Sequence, residues 1–496
     1  LGLTFFPISY DPGISSTNIP TTTNITLDWN HPIKAGSGTI TIRSGSASGT
    51  ILDQFVVGSS SSITFANNQV ILDPAVDLSN DTQYFVTYPA GSIKSYGDTY
   101  QNDQLIYSFT SKPAPITSIW LMGDNGKGAL GQNETTTQRS SPVQIPAPSA
   151  ATSWTSMGIG GQGMHGTKAD GTLWSWGYNY LGALGQNAPD NTNLSSPTQI
   201  GTGTDWAKTL THDNGMGCGS LKTDGSLWSW GYNGRGNLGH NQGPNMSLSS
   251  PTQIPGTWST AIITRSSGGV KTDGTLWTWG NNEYGQLGHN SFNNPYNSGM
   301  SSPVQVGSGT DWSKVTTCQN SQWFAAVKTD GTLWVAGRNQ YGELGQNSVA
   351  SPAGNGISSP TQIPGTTWRT VTNDSDFGIG TKTDGTLWSW GRSYFGFTGQ
   401  NTSNVNYSSP TQIGTDTTWL GAKASQQMTI ASKTDGSLWV WGRNARGQFA
   451  QNNKTNYSSP VQIPGSWLAA DQLAINPDDM EASGGYQVAG ALKSAD

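Results

Sequence analysis

The residues of this chain that could do chemistry are few and scattered. The five histidines lie far apart in the sequence, at His31, His165, His212, His240 and His289. No HExxH pair, no paired cysteines and no phosphate-binding loop are present. Because catalysis and metal binding need such side chains at a defined spacing, we predict no catalytic residue, no metal site and no cofactor. The protein is therefore predicted not to be an enzyme.

The two cysteines also favour a structural role. Cys218 and Cys318 occupy non-equivalent places in the chain, which favours two buried free thiols over a disulfide. His240 and His289 stand where similar segments carry Gln, so we interpret them as turn residues. An Asp recurs in a Lys-Thr-Asp-Gly turn, and a recurring turn Asp is typical of a hairpin rather than of a calcium site.

Tryptophan is the remaining candidate for ligand contact, because an indole ring can stack on a sugar. The chain has 21 tryptophans, and most of them lie in a sequence motif that recurs along the chain. "LWSWGYNYLGALGQN" begins at Leu173, and six similar segments stand 49 to 57 residues apart. A side chain that recurs in every repeat is typical of packing. We therefore assign packing roles to the first tryptophan of each copy: Trp120, Trp174, Trp228, Trp277, Trp334, Trp388 and Trp439.

Each repeat predicts four short strands. After the tryptophan segment come Ser-Ser-Pro, a short apolar alternation, a lone Trp such as Trp206, and Lys-Thr-Asp-Gly. Asp-Gly between two alternating runs is a strong hairpin signal, since Gly supplies the positive φ that the turn needs. A single four-stranded sheet cannot bury two apolar faces, whereas seven packed radially can. We predict an all-β chain with a seven-bladed β-propeller over residues 116–496.

The composition narrows the class of partner. Charged residues make up 11% of the chain, the formal net charge is −6, and no run of five basic residues occurs. These features disfavour nucleic acid and anionic membrane as the main partner. No apolar stretch reaches the ~18 residues that cross a bilayer, so no membrane insertion is expected.

The repeats resemble the regulator of chromosome condensation family, on "LWSWGxNxxGQLG", "SSPxQI" and "KTDG". The resemblance implies a seven-bladed propeller and protein partners. The family's namesake is a nucleotide-exchange factor for a small GTPase, and other members inhibit enzymes with their loops. The Ser/Thr/Asn-rich style of these copies is most similar to bacteriophage structural proteins and bacterial surface proteins.

Residues 1–112 differ from the repeats. "NITLDWNHPIKAGSGTITIRSG" and "YFVTYP" alternate as strands do, and the segment resembles a bacterial Ig-like domain of the S-layer type. The resemblance implies a β-sandwich that serves as a spacer or anchor. A proline-containing linker is expected at 113–116.

The end of the chain repeats only half of the motif. "ALKSAD" lacks the strand that follows Asp-Gly, and "ITSIWLMGDNG" from Ile116 lacks the strand before it. We predict that residues near 486–495 pair antiparallel with residues near 116–122 and close the ring within one blade. The residues assigned to this closure are Ile119, Trp120, Ala491 and Leu492.

Loops of varying length between Gln-Asn and Ser-Ser-Pro are the predicted binding region, because repeat proteins place binding sites on such loops. Ordinary solvated loops are an equal alternative. Trp323 matches neither repeated tryptophan. Phe377 and Met428 stand at the same distance before the Lys of their own repeats, which favours core packing for all three positions. Trp323 is nevertheless a binding candidate. The candidate binding residues are Phe292, Asn293, Asn294, Tyr296, Ser298, Asn355, Tyr407, Tyr457 and Trp323.

Together these patterns favour a non-enzymatic structural or adhesion protein of a virion surface or extracellular surface. Its Ig-like domain would anchor a propeller whose loops bind protein or glycan. The expected partners are other structural proteins of a virion or cell surface, or a host glycan or surface protein. The alternatives are a bacterial cell-surface adhesin and an enzyme-inhibiting propeller. An exchange factor for a small GTPase ranks below both.

Overall fold

The chain was analysed as a computed structural model. It describes residues 5–16, 19–20, 22–79, 82–111, 117–123, 125–136, 139–145, 153–160, 163–210, 217–243, 246–292, 299–317, 322–349, 356–374, 376–425, 428–445, 447, 449–464, 467, 483–484 and 488–494. The chain divides into two compact units, Leu1–Ala114 and Pro115–Asp496. The predicted linker at 113–116 lies outside the described residues. The described part is all-β except for one three-residue 3-10 turn, Tyr180–Gly182.

The N-terminal unit is a sandwich of two four-stranded antiparallel sheets. One sheet has the order β1-β2-β7-β6, the other β10-β8-β4-β5, and β3 pairs with β9. Alternation buries one side of each strand, as Ile25, Leu27 and Trp29 show in β2. The strands are β1 Pro7–Asp11, β2 Ile25–Trp29, β3 Ile33–Ala35, β4 Thr39–Ser44, β5 Thr50–Val56, β6 Ile63–Ala66, β7 Gln69–Leu72, β8 Gln83–Tyr88, β9 Ile93–Ser95 and β10 Leu105–Thr110.

The C-terminal unit has seven blades of four antiparallel strands. In chain order the strands of the first three blades are β11 Thr117–Gly123, β12 Arg139–Gln144; β13 Trp154–Gly160, β14 Gly163–Lys168, β15 Leu173–Gly177, β16 Leu194–Gln199; β17 Trp206–Thr209, β18 Gly217–Lys222, β19 Ser226–Gly231 and β20 Leu248–Ile262. Strand β20 is long enough to serve as the outer strand of the third blade and the inner strand of the fourth.

The remaining blades repeat this order. Their strands are β21 Ser266–Lys271, β22 Leu276–Gly280, β23 Met300–Gln305; β24 Trp312–Thr317, β25 Trp323–Lys328, β26 Leu333–Gly337, β27 Ile357–Ile363; β28 Trp368–Asn373, β29 Phe377–Lys382, β30 Leu387–Ser393, β31 Val405–Gln412; β32 Trp419–Ser425, β33 Met428–Lys433, β34 Leu438–Gly442 and β35 Tyr457–Ile463. The last two strands, β36 Ser483–Gly484 and β37 Val488–Ser494, belong to the first blade.

In the second to seventh blades the inner strand runs from the lone Trp, and inner strands of neighbouring blades contact each other, as β24 contacts β28 and β28 contacts β32. The second strand ends at the Lys of Lys-Thr-Asp-Gly, the third is the tryptophan segment, and the fourth carries Ser-Ser-Pro at the outer edge. Proline has no backbone N–H group to donate, and an outer edge strand tolerates it because no neighbouring strand needs a hydrogen bond on that side.

The first blade combines the two ends of this unit. Its sheet has the order β12-β11-β37-β36, and β37 runs antiparallel to β11 with Ile119 opposite Leu492 and Trp120 opposite Ala491. Met122 of β11 belongs to the buried cluster of the seventh blade, whereas Ile119 belongs to that of the second blade. Strand β11 is therefore paired with the chain end and packed between two neighbours.

Candidate functional site

The blades present two opposite edges. At one, which we name the turn edge, lie the Asp-Gly turns that join second and third strands. At the other, which we name the loop face, lie the described residues of the segments that follow the third strand: 125–136, 178–193, 232–243 with 246–247, 281–292 with 299, 338–349 with 356, 394–404, and 443–445 with 447 and 449–456. The two edges use their side chains differently.

The turn edge is occupied by a repeated packing arrangement. In each of six blades a lysine ammonium lies 3.7–5.3 Å from the ring centroids of the lone Trp and the first Trp. Such cation–π contacts hold both indole rings against their own blade. The six lysines are Lys168, Lys222, Lys271, Lys328, Lys382 and Lys433.

The Asp of each turn is also structural. Oδ1 of Asp273 accepts hydrogen bonds from the Thr275 hydroxyl (2.6 Å) and backbone N–H (3.0 Å), and the Thr275 hydroxyl accepts one from Nε1 of Trp277 (2.8 Å). The hydrogen bond from the Thr275 hydroxyl has the largest effect in lowering the pKa of Asp273, and the bond from the Thr275 backbone N–H lowers it further. The arrangement recurs from blade to blade, so the first tryptophans are half-buried parts of the turn and not a ligand-stacking surface.

The loop face is built on a buried asparagine two residues after the third-strand glycine. Oδ1 of Asn339 accepts a hydrogen bond from the Leu344 N–H (3.1 Å), and Nδ2 donates to the Ser348 carbonyl (3.0 Å). Five other blades use the same bond to the residue five positions later, from Asn125, Asn179, Asn233, Asn282 and Asn444. The asparagine thus fixes the shape of the loop, a role that the sequence interpretation missed.

A glycine of each loop is required because the next blade touches it. Gly342 has φ +85°, and a Cβ there would lie 2.5 Å from Cα of Ser408 in the following blade. The contact recurs in all seven blades, at Gly128–Ser195, Gly182–Ser249, Gly236–Ser301, Gly285–Ser358, Gly342–Ser408, Gly396–Ser458 and Gly447–Ser140. Glycine alone fits both the positive φ and the close approach.

The second tryptophan of the motif bonds across the same seam. Nε1 of Trp230 donates to the Ala183 carbonyl of the preceding blade at 2.9 Å, and Trp176, Trp279, Trp390 and Trp441 make the equivalent bond. The fifth blade has Ala336 at this position. There Phe324, directly opposite Ala336 on the neighbouring strand, supplies the buried ring.

The two motif histidines take the part of Gln, as the slot predicts. Nε2 of His240 lies 2.8 Å from Oγ of Ser229, and Nε2 of His289 lies 2.9 Å from Oγ1 of Thr278, where Gln186 bonds Ser175 in the second blade. Burial lowers the pKa of His240 and of His289. Both histidines are turn residues.

Acidic, histidine and cysteine side chains are dispersed over the described part of the chain. No group of three His, Cys, Asp or Glu side chains among the described residues is placed to hold a metal ion. Cys218 is buried and free, and burial raises the pKa of its thiol. Cys318 lies outside the described residues. No helix in the described ranges has the length and apolar character to cross a membrane.

One binding candidate from the sequence is wrong. Trp323 is fully buried beneath the loops, and its Nε1 donates to the Asp374 carbonyl at 2.9 Å. It packs in the same cluster as Trp390, so it is core and cannot contact a ligand. Phe377 and Met428, which stand at the same distance before the Lys of their own repeats, are also buried, and this shared position in the sequence indicates packing.

The other candidates differ in availability. Phe292 is half-exposed on the loop face and remains available for contact. The hydroxyls of Tyr407 and Tyr457 bond within their own loops, to Thr402 (2.8 Å) and Asn453 (3.0 Å). Five candidates lie outside the described residues: Asn293, Asn294, Tyr296, Ser298 and Asn355.

The loop face also carries arginines that the sequence interpretation passed over. The residue after the third-strand glycine is an arginine in three successive blades, at Arg338, Arg392 and Arg443. Each lies near aromatic rings of the face, and their contacts run from the fifth blade to the seventh. In this arginine–aromatic row the ring partners are Tyr341, Tyr394 and Phe395. Alignment of "GRNQYG", "GRSYFG" and "GRNARG" would have shown it.

Two carboxylates contact the first two arginines of the row, Arg338 and Arg392. Asp376 accepts from Arg392 Nη1 at 3.1 Å and lies 3.5 Å from Arg338 Nη1. Glu343 is fully buried, and its carboxylate lies 3.8 Å from Arg338 Nε. Burial raises the pKa of Glu343, whereas the hydrogen bonds that it accepts from the backbone N–H groups of Gln340 and Tyr341 act to lower it. Arg338 and Arg392 are therefore held in fixed positions on the loop face.

Comparison with known proteins agrees with both folds. Residues 7–111 match the bacterial Ig-like domain, and residues 224–270, 273–322 and 435–467 match the regulator of chromosome condensation (RCC1) repeat. The chain carries an Ig-like domain and RCC1 repeats. The RCC1 repeat matches fall in blades whose loop and turn contacts recur across the whole propeller.

Known proteins from human, mouse and yeast are similar to this chain. The E3 ubiquitin-protein ligases HERC2 of Homo sapiens and Mus musculus are each 25% identical over 385 residues, which is 73% of this chain but only 8% of the HERC2 length. Human WBSCR16 superposes with a TM-score of 0.61 at 16% identity, covering 76% of this chain and 99% of WBSCR16. Prp20p from Saccharomyces cerevisiae gives 0.62 at 18%, covering 77% and 93%. At these identities the structures establish an RCC1-like propeller fold.

Proposed function

We propose that this chain is a non-enzymatic binding protein of a virion or extracellular surface, in which the RCC1-type propeller binds a protein partner through its loop face. The Ig-like domain serves as anchor or spacer. The observation that carries this proposal is the contrast between the two edges of the blades. At the turn edge nearly every side chain repeats and packs, whereas at the loop face the exposed side chains differ between blades.

Three further features support binding over catalysis. The turn Asp273, the buried Cys218 and the buried Glu343 have a depressed or raised pKa, and each of them already has a structural role. The loop face presents Tyr and Arg, the residue types that concentrate binding energy at protein interfaces. The solved propeller Prp20p is described with binding to Gsp1p and histones, and also in a complex with Kap60.

The surface location rests on the Ser/Thr/Asn-rich style of the repeats and on the Ig-like domain in front of them. Quantitative mass spectrometry of purified virus particles and of washed cells from the source tests it. A fixed copy number per particle is expected for a virion protein. Protease-accessible chain on intact cells would favour the adhesin instead. Absence from both fractions would contradict a surface role.

Exchange activity is the second candidate, because Prp20p shares the fold. Fold likeness alone does not transfer an activity. Release of a fluorescent guanine nucleotide from a panel of small GTPases, with and without this chain, decides the matter. We expect no acceleration, and an acceleration that depends on loop-face residues would replace the surface-binding proposal. A glycan array, probed with the full chain, tests whether the ligand is a glycan instead of a protein.

A further inference from the structure

We propose that Arg392 anchors a carboxylate-binding site on the loop face, which receives an Asp or Glu side chain from an acidic segment of a protein partner. The inference rests on the proposed binding function and gives it a location and a partner chemistry. Its parts are one arginine, two tyrosine rings and one shared aspartate.

The Arg392 guanidinium is held by two rings from different blades. Its Cζ lies 4.6 Å from the ring centroid of Tyr341, in the fifth blade, and 5.0 Å from that of Tyr394, in its own loop. Its backbone N–H also donates to the Asp376 carbonyl at 2.8 Å. A guanidinium held in this way loses little rotamer freedom when a partner binds, which removes part of the usual cost of association.

Asp376 fixes one corner of the guanidinium and leaves the rest open. Nη1 of Arg392 donates to Oδ2 of Asp376, whereas neither Nε nor Nη2 donates to any atom of the described residues. The side chain is 34% exposed. The Nε–H and Nη2–H groups form one edge of a planar fork whose spacing matches the two oxygens of a carboxylate.

The surroundings favour a protein ligand over nucleic acid. Asp376 is shared by Arg338 and Arg392, and buried Glu343 adds a second carboxylate, so the site lacks the uncompensated positive charge that phosphate backbones require. Tyr394 beside Arg392 is 42% exposed and offers apolar area next to the charged fork. An arginine and a tyrosine side by side are typical of an interface hot spot.

Two conservative changes separate geometry from charge. Arg392→Lys keeps the positive charge but loses the Nε/Nη2 fork and the planar contact with the rings. Arg392→Gln loses both. Lys454→Gln is the matched control, since Lys454 is an exposed cation of the same face in the next blade. Thermal unfolding of the full chain with each change verifies that the propeller is intact.

The test selects a ligand from random peptides, so the partner need not be identified first. A phage-displayed library of random 12-residue peptides is panned against the full chain, and one selected peptide is synthesised for binding by fluorescence anisotropy. We expect enrichment of Asp and Glu, binding at least about tenfold weaker to Arg392→Lys and Arg392→Gln, and unchanged binding to Lys454→Gln. Replacing the peptide's Asp and Glu by Asn and Gln should abolish binding.

Three outcomes would overturn the proposal: no acidic enrichment or no selected peptide, equal binding to the Arg392 variants, or binding of a uridine 20-mer that is lost in Arg392→Gln. The last would assign the fork to phosphate. A surface protein that binds Arg392→Gln as tightly as the wild type would remove this carboxylate site and leave the protein-binding function intact.

Discussion

Ser141 and Asn452 are 311 residues apart in the chain, and Oγ of Ser141 donates a hydrogen bond to Oδ1 of Asn452 at 3.1 Å. The same pair of motif positions bonds between neighbouring blades elsewhere, as Ser409 does with Asn347. A contact that joins other successive blades therefore also links residues of the first and seventh blades. Together with the pairing of β11 and β37, this arrangement leads to the first prediction.

Deletion of residues 486–496 should destabilise the whole propeller. It removes the strand opposite Ile119 and Trp120 and exposes the edge of β11. We expect the melting temperature of the propeller to fall by tens of degrees or the domain to fail to fold. Ser141→Ala, which removes a single hydrogen bond at an exposed strand position, should cost only about 1 kcal/mol. An unchanged melting temperature after the deletion would show that the terminal strand does not hold the ring closed.

Gly342→Ala should be much more destabilising than Gly307→Ala. Both glycines have positive φ, but a Cβ at Gly342 meets Ser408 of the next blade and one at Gly307 meets nothing within 4 Å. The control should show only the backbone cost of about 1–2 kcal/mol. The seam position should add about 1–3 kcal/mol of overpacking. Chemical denaturation measures the difference, and equal costs would mean that the seam yields freely.

The aromatic ring of the fifth blade should be movable between strands. Phe324→Ser removes the buried ring and should cost about 3–5 kcal/mol, whereas Ala336→Trp overpacks against Phe324. The double variant recreates the Ser–Trp pair that the fourth blade has at Ser267 and Trp279. We expect it to be more stable than either single variant by urea unfolding. Additive losses would contradict the assigned equivalence of the two rings.

His165 should make the propeller sensitive to acid. It is fully buried against the Trp230 ring, and burial lowers its pKa to about 4 although Nε2 contacts the Ala183 carbonyl. Because the unfolded chain binds a proton below about pH 6.5 and the folded chain does not, stability should fall from about pH 6.5 to 4, by up to ~3 kcal/mol. His165→Ile introduces the residue found at the equivalent Ile379, and it should make this slope shallower by the contribution of His165, while His240 and His289 keep theirs. An unchanged slope in this variant would assign the acid sensitivity to other groups.

The features of the fold that recur in the sequence could be predicted from it. Seven tryptophan segments and Asp-Gly turns gave the blades, and the truncated "ALKSAD" gave the partner strand of β11, because these features depend on local pattern. Ring-to-lysine packing at the turn edge, and the shape-fixing role of Asn339, required the contacts between strands and loops. The sequence leaves Trp323 among the loop candidates because its burial against Trp390 of the next blade depends on tertiary packing. Arg392 was missed because a charged residue after a glycine has no meaning until Tyr341 of another blade is placed beside it.

The central claim is that the loop face, and not the turn edge, binds the partner. The direct measurement places photoreactive p-benzoylphenylalanine at Tyr394 on the loop face or at Thr383, an exposed residue of a turn, and irradiates the full chain with virus particles or cells of its source. We predict an adduct of discrete mass from position 394 and none from position 383. An adduct from position 383 with none from position 394 would contradict the account.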